Sequence, residues 1–81
     1  MQILISKDAQ KQFDRLSRSQ QIKILKKIRV LGQNPYAGKK LEAEFKNFRS
    51  LRAWPYRIIY FINQKEKRVE VSNILHRQGA Y

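Results

Sequence analysis

Ile3 and Ile5 alternate with Gln2, Leu4 and Ser6, the period-two pattern of a short strand. Ser6 or Asp8 can then accept hydrogen bonds from the first free amides of a helix. From Lys7 to about Ser17, Ala9, Phe13 and Leu16 recur at spacings of four and three, one apolar stripe on an otherwise charged helix. Ser17-Arg18-Ser19-Gln20 breaks and restarts the pattern: Ser17 with Gln20 has the spacing of a capping box, and Ser19 is the competing cap. A second helix is predicted from there to about Leu31. Ile22, Leu25, Ile28 and Leu31 share one face, widened by Ile24 and Val30, while Lys23, Lys26, Lys27 and Arg29 take the rest. Two amphipathic helices with so short a joint predict an antiparallel hairpin. Gly32 is placed to end it, and Asn34-Pro35 prevents continuation.

Gln33 to about Lys40, QNPYAGKK, reads as a loop, and Leu41 to Asn47 as either a turn of helix or a poor strand. Phe48 to Ala53 is predicted as a strand with Leu51 and Ala53 on one face and Phe48, Ser50 and Arg52 on the other. Trp54-Pro55 makes a turn, because proline fixes its own dihedral and pushes Trp54 from helical geometry. Tyr56 to Ile62 is almost continuously apolar, as a central strand would be, with Arg57 either near the strand end or facing a wet groove. Asn63 to Lys67 turns. Arg68 to His76 alternates again, with Val69, Val71 and Leu75 expected on one face and Glu70, Ser72, Ile74 and His76 on the other. The order is β-α-α-β-β-β, an α+β fold: an antiparallel meander, the first strand added at an edge, and the helix hairpin on one face.

Length and charge sharpen this picture. Eighty-one residues make one domain, 1–81, near the lower limit for a single core, and without cysteine no disulfide or cysteine-based zinc site can staple it. Eighteen Lys and Arg against six Asp and Glu give a formal charge of +12, which implies a polyanionic partner: RNA, DNA, an acidic protein or an anionic membrane surface. No apolar run approaches the roughly 20 residues of a membrane span, and the five-residue apolar start is too short for a signal-peptide core, so the expected location is cytoplasmic.

The helices cover one face of the sheet, and the arginines bear on the other. Arg52 and Arg57 flank the Trp54-Pro55 turn on paired strands, and Arg77 arrives at the end of the neighbouring strand. Three converging guanidiniums would clamp a phosphate, since each offers forked donors and a charge that survives any cellular pH. The plainer alternative is that each pairs with an acidic residue or points into water. Trp54, Tyr56 and Phe48 lie among these cations and either stack on exposed bases or simply pack. His76 is the only histidine, a structural residue or a proton-transfer group. RNA can be cut without metal if one group takes the 2′-hydroxyl proton, another protonates the departing 5′-oxygen, and cations stabilise the phosphorane. His76, Tyr81 and the arginines supply those roles. No carboxylate cluster suggests a metal, no glycine-rich phosphate loop is present, and no cofactor is expected.

LRAWPYRIIY, Leu51 to Tyr60, and HRQGAY, His76 to Tyr81, resemble the RelE/ParE toxins of bacterial and archaeal toxin–antitoxin systems, and the HRxxxY ending resembles the RelE branch in particular. The resemblance covers essentially the whole chain. It implies a ribosome-dependent endoribonuclease that cleaves mRNA in the decoding site and is silenced by a cognate antitoxin in a hetero-oligomer. It further implies that Arg57 stabilises the transition state, that Arg77 and Tyr81 are the arginine and tyrosine of the C-terminal motif, and that His76 transfers a proton. Phe48 and Ser50 stand where some active members carry lysines, so Lys46, Arg49 or Arg52 would substitute, and with Trp54 they form the expected RNA-binding set. Two rivals share the fold: a ParE-like inhibitor that blocks DNA gyrase without cutting RNA, and a relative that keeps an antitoxin but has lost catalysis.

Overall fold

A computed structural model describes residues 1–41 and 47–77. In chain order the elements are β1 (Gln2–Ile5), α1 (Lys7–Asp14), α2 (Arg18–Gln33), β2 (Lys39–Lys40), β3 (Arg49–Ala53), β4 (Tyr56–Asn63) and β5 (Arg68–His76). The strands form one sheet in the order β1-β5-β4-β3-β2, with β1 parallel to β5 and every other pairing antiparallel. The helical hairpin covers one face and β4 is the central strand; α2 turns Ile24, Ile28 and Leu31 to the core and leaves Ile22, Leu25 and Val30 exposed, so its buried stripe is displaced from the expected one. The core joins Ala9, Ile24 and Leu31 of the helices to Ala53, Ile58, Tyr60, Val69, Val71 and Ile74 of the sheet.

Both helix starts resolve a choice between two caps. Ser6 Oγ accepts the Ala9 amide at 3.0 Å, and Ser17 Oγ accepts the Gln20 amide at 3.4 Å. Asp8 instead lies in the first turn of α1, where its negative charge suits the helix dipole. Gly32 does not end α2, which runs on to Gln33. One helical glycine costs only about 1 kcal/mol, so the stop comes from Pro35, with the Asn34 amide making a last bond to the Val30 carbonyl at 2.7 Å.

Two further expectations are corrected. Lys39 and Lys40, read as loop, pair with β3 (Lys39 with Ser50, Lys40 with Arg49), and the Leu41 amide continues the ladder to the Phe48 carbonyl at 3.0 Å. The second concerns β5, where Ile59 faces Asn73 but Tyr60 faces Val71, leaving Ser72 as an extra, bulged residue. The bulge shifts the alternation by one, so Ile74 rather than Leu75 joins Val69 and Val71 in the core. The junction of β1 and α1 stabilises this irregularity: the Ser6 amide donates to the Val71 carbonyl, Ser6 Oγ to the Ser72 carbonyl, and the Ile74 amide to Gln12 Oε1.

Tyr60 ties the sheet to the chain that leaves α2. Its ring is fully buried, and its hydroxyl donates to the Pro35 carbonyl at 2.7 Å while accepting the Gly38 amide at 2.9 Å. The approach is close enough to demand glycine, since a Cβ at position 38 would lie 2.5 Å from the Tyr60 hydroxyl and 3.0 Å from the Ser50 carbonyl. Burial pushes the Tyr60 pKa above its ordinary 10.0, against the lowering effects of the Gly38 amide and the Arg49 charge. The folded state therefore keeps the proton to higher pH than the unfolded chain, and this contribution is complete below pH 10.0 and lost as pH rises through the folded pKa. Denaturant unfolding should show Tyr60→Phe losing about 1–3 kcal/mol, because two buried polar groups lose their partner. Gly38→Ala should lose about 1–3 kcal/mol through overpacking. The stability of the wild type should fall more steeply above pH 10.0 than that of Tyr60→Phe.

Candidate phosphate-binding site

Arg52 and Arg57 are direct cross-strand partners in the β3–β4 ladder. Residues so paired project from the same face, and alternation along each strand puts these two opposite to Leu51, Ala53, Ile58 and Tyr60, on the face away from the helices. Arg77 joins them from the end of β5. Its amide donates to the Pro55 carbonyl at 2.8 Å, and its guanidinium carbon stands 4.6 Å from the centre of the Trp54 ring. The three arginines line a cleft of about 130 Å³ together with Trp54, Pro55 and Tyr56. Lys23 on α2 steadies the turn, its ammonium donating to the Trp54 carbonyl at 2.9 Å. Trp54 itself is 55% exposed, leaving ring surface available to a base.

Among the described residues, the ion pair is Arg68 with Glu70 at 3.0 Å, and neither Arg52 nor Arg57 has a carboxylate or hydrogen-bonding partner. The sheet therefore holds two like charges face to face, a destabilising arrangement. Beyond the pair the surface opens into a second cleft of about 520 Å³, where Lys27 of α2 and Lys39 of β2 stand with Ser50, Arg52 and Arg57. Sequence reasoning missed both lysines. Lys27 was one cation among several on its helix, and nothing local marks Lys39 as a strand residue; its pairing is set by the distant Tyr60.

The other expected site residues lie elsewhere. Arg49 is on the helix-facing side, where its Nη1 donates to the Gly38 carbonyl at 2.8 Å and its guanidinium covers Tyr36 at 4.9 Å. It lines a separate cleft of about 510 Å³ with Tyr36 and Lys40. His76 pairs with Tyr56 and meets that ring edge-on, with centroids 5.3 Å apart, whereas its neighbour Leu75 is the partner of Arg57. The pleat thus sets His76 on the face opposite to Arg57. Lys46 and Tyr81 lie outside the described residues. No three His, Asp or Glu side chains among the described residues gather into a set that could hold a metal, and no helix among them is long and apolar enough to cross a membrane.

What this cleft can do chemically is bind and neutralise a phosphate. Guanidiniums offer paired donors to phosphate oxygens and stabilise added negative charge, but they do not exchange protons at cellular pH. A reaction here would need a further group for proton transfer.

The fold has close counterparts. The toxin–antitoxin complex RelBE2 of Mycobacterium tuberculosis contains a chain that superposes with a TM-score of 0.86 at 22% identity, covering 94% of this chain and 96% of that one. The YoeB/ParE toxin from Agrobacterium tumefaciens gives 0.82 at 20% identity, over 94% and 98%. The archaeal RelE–RelB complex from Pyrococcus horikoshii OT3 gives 0.77 at 23% identity, over 98% and 97%. Among curated proteins, none matches the chain in sequence. The model of one family, described as the ParE toxin of the type II toxin–antitoxin system parDE, matches residues 3–81. The chain's fold is thus shared with RelE- and YoeB-type toxins, and a family match over nearly its full length shows that it belongs to the ParE toxin family of type II toxin–antitoxin systems.

Proposed function

We propose that this chain, acting as a single domain in the cytoplasm, is a RelE-like toxin that cleaves mRNA on the ribosome without a metal, and that a cognate antitoxin silences it. The observation that carries this reading is the Arg52–Arg57 pair, two guanidiniums without a carboxylate partner among the described residues, fixed face to face beside Arg77. A phosphodiester relieves their repulsion, and the dianionic phosphorane formed during cleavage relieves it further, so the site favours the transition state over the ground state. In this reaction the ribose 2′-oxygen attacks phosphorus, the bond from phosphorus to the 5′-oxygen breaks, and a 2′,3′-cyclic phosphate and a 5′-hydroxyl result. One group must take the 2′-hydroxyl proton and one must return a proton to the 5′-oxygen. Tyr81 follows Arg77 by four residues, a length of chain that spans at most about 14 Å, and we assign it one of these transfers. His76, across the pleat from Arg57, is the second candidate in the reading but stands off the arginine cleft. The formal charge of +12 favours the ribosome's RNA as a docking surface and suits an acidic antitoxin segment that gains order as it binds.

A second reading has its own support. The matching family model describes ParE toxins, and a ParE-like protein would inhibit DNA gyrase by binding alone. The cationic face serves either partner.

One measurement tests the arginine pair that both readings use, and a second separates them. If the arginine pair exists for an anion, its repulsion destabilises the free protein. Arg57→Gln should then raise stability by about 0.2–1 kcal/mol at low ionic strength, a gain that shrinks as salt screens the pair and that thermal unfolding at two salt concentrations would reveal. Primer extension on a reporter mRNA in reconstituted translation should show cuts at codon boundaries only when ribosomes are present. Those cuts should weaken about 10²–10³-fold in Arg57→Ala, the range for losing one transition-state donor, and be abolished in Tyr81→Phe. Intact mRNA together with blocked gyrase supercoiling would establish the second reading.

A further inference from the structure

Gly38 has both of its backbone polar groups committed: its amide to the Tyr60 hydroxyl at 2.9 Å and its carbonyl to the Arg49 guanidinium at 2.8 Å. The next residue, Lys39, therefore begins β2 from a fixed point. Its register partner is Ser50. Cross-strand partners share a face, and so do residues two apart on one strand. Lys39, Ser50, Arg52 and Arg57 consequently stand on the same face of the sheet and line the cleft of about 520 Å³, which Lys27 of α2 also reaches. Lys39 is diagonal to Arg52 across the ladder, a separation of about 7–8 Å that long side chains bridge. Its backbone is held, while its side chain is exposed and has no hydrogen-bond or ion-pair partner among the described residues.

Lysines on an edge strand can also serve only to deter pairing with another sheet. Lys40 meets that need equally well, and it pairs with Arg49 and lines a different cleft on the other side of the pleat. Of these two neighbouring lysines, Lys39 is the one that faces the arginine pair. A further cation beside two guanidiniums adds repulsion in the unliganded protein, and a phosphate bound among them offsets it.

We propose that Lys39 is a catalytic residue of this chain, its ammonium contacting the phosphate under attack and stabilising, with Arg52 and Arg57, the charge that builds on the phosphorane oxygens. The role is electrostatic: the lysine forms and breaks no covalent bond and keeps its proton. The inference rests on the nuclease reading above and extends it to a residue outside the β3–β5 meander.

The test compares wild type, Lys39→Ala, Lys39→Arg, Lys40→Ala and Arg57→Ala in single-turnover cleavage of ribosome-bound mRNA, with thermal unfolding to check that each variant is folded. Lys39→Ala should lower the saturating rate constant by about 10²-fold, the low end for removing one donor to a transition-state oxyanion, with a smaller change in half-saturating concentration. Lys39→Arg should recover most of that loss, and Lys40→Ala, which removes the same charge, should stay within about twofold of wild type, because uniform charge loss alters binding rather than the chemical step. A wild-type rate in Lys39→Ala while Arg57→Ala is impaired would overturn the role of Lys39 alone. So would equal losses in Lys39→Ala and Lys40→Ala, or a change confined to the half-saturating concentration. An inert wild type would remove the nuclease reading and this inference with it.

Discussion

The buried hydroxyl of Tyr60 is the constraint on which the outer half of the sheet depends. It sits in the central strand and takes hydrogen bonds on both sides of the loop that leaves α2, to Pro35 and from Gly38. An unpaired hydroxyl at that depth would cost free energy, so the loop closes over it. Closing the loop delivers Lys39 and Lys40 to the edge of β3 and sets which of them faces the arginines. The opposite edge follows similar logic, with Ser6 and Gln12 taking up the polar groups around the Ser72 bulge and thereby docking α1 and β1 onto β5.

Between those edges the molecule accepts an electrostatic penalty. A small chain with formal charge +12 has little stability to spare, yet it sets Arg52 directly opposite Arg57 with no acidic residue among the described residues to answer either. The surrounding structure is arranged to hold them there. The Trp54–Pro55 turn is tied to α2 through Lys23 and to the end of β5 through the Arg77 amide. Three separate elements thus fix one cleft, the preorganisation an electrostatic site needs so that little reorganisation remains when the charge develops.

Much of this was legible in the sequence because it is governed by periodicity. The stripe of α1, the alternation in β3 and the apolar run of β4 each report a local face, and the flanking of Trp54-Pro55 by Arg52 and Arg57 follows from hairpin geometry alone; in α2 the stripe is displaced, with Ile24 buried and Ile22, Leu25 and Val30 exposed. The illegible features are those decided by contacts distant along the chain. A bulge at Ser72 looks like ordinary alternation until its partners are known, which is why Leu75 seemed the better core residue than Ile74. Two consecutive lysines carry no strand signal, so Lys39 passed for loop. His76 and Arg77 are adjacent in sequence and look like one constellation, but the pleat separates His76 from Arg57. Arg49, grouped with the other arginines by proximity in sequence, is turned by the same alternation toward Tyr36 and Gly38.

The toxin–antitoxin family sets the biological frame, and the proposed chemistry rests on the arginine cleft. In the proposed reaction these cations stabilise a phosphorane formed by the ribose 2′-hydroxyl. The most direct measurement is the chemical identity of the new RNA ends, determined by mass spectrometry after reaction with ribosome-bound mRNA. Attack by the 2′-hydroxyl predicts a 2′,3′-cyclic phosphate or its 3′-phosphate hydrolysis product on one fragment and a 5′-hydroxyl on the other. A 3′-hydroxyl with a 5′-phosphate, the outcome of attack by water without the 2′-oxygen, would contradict it.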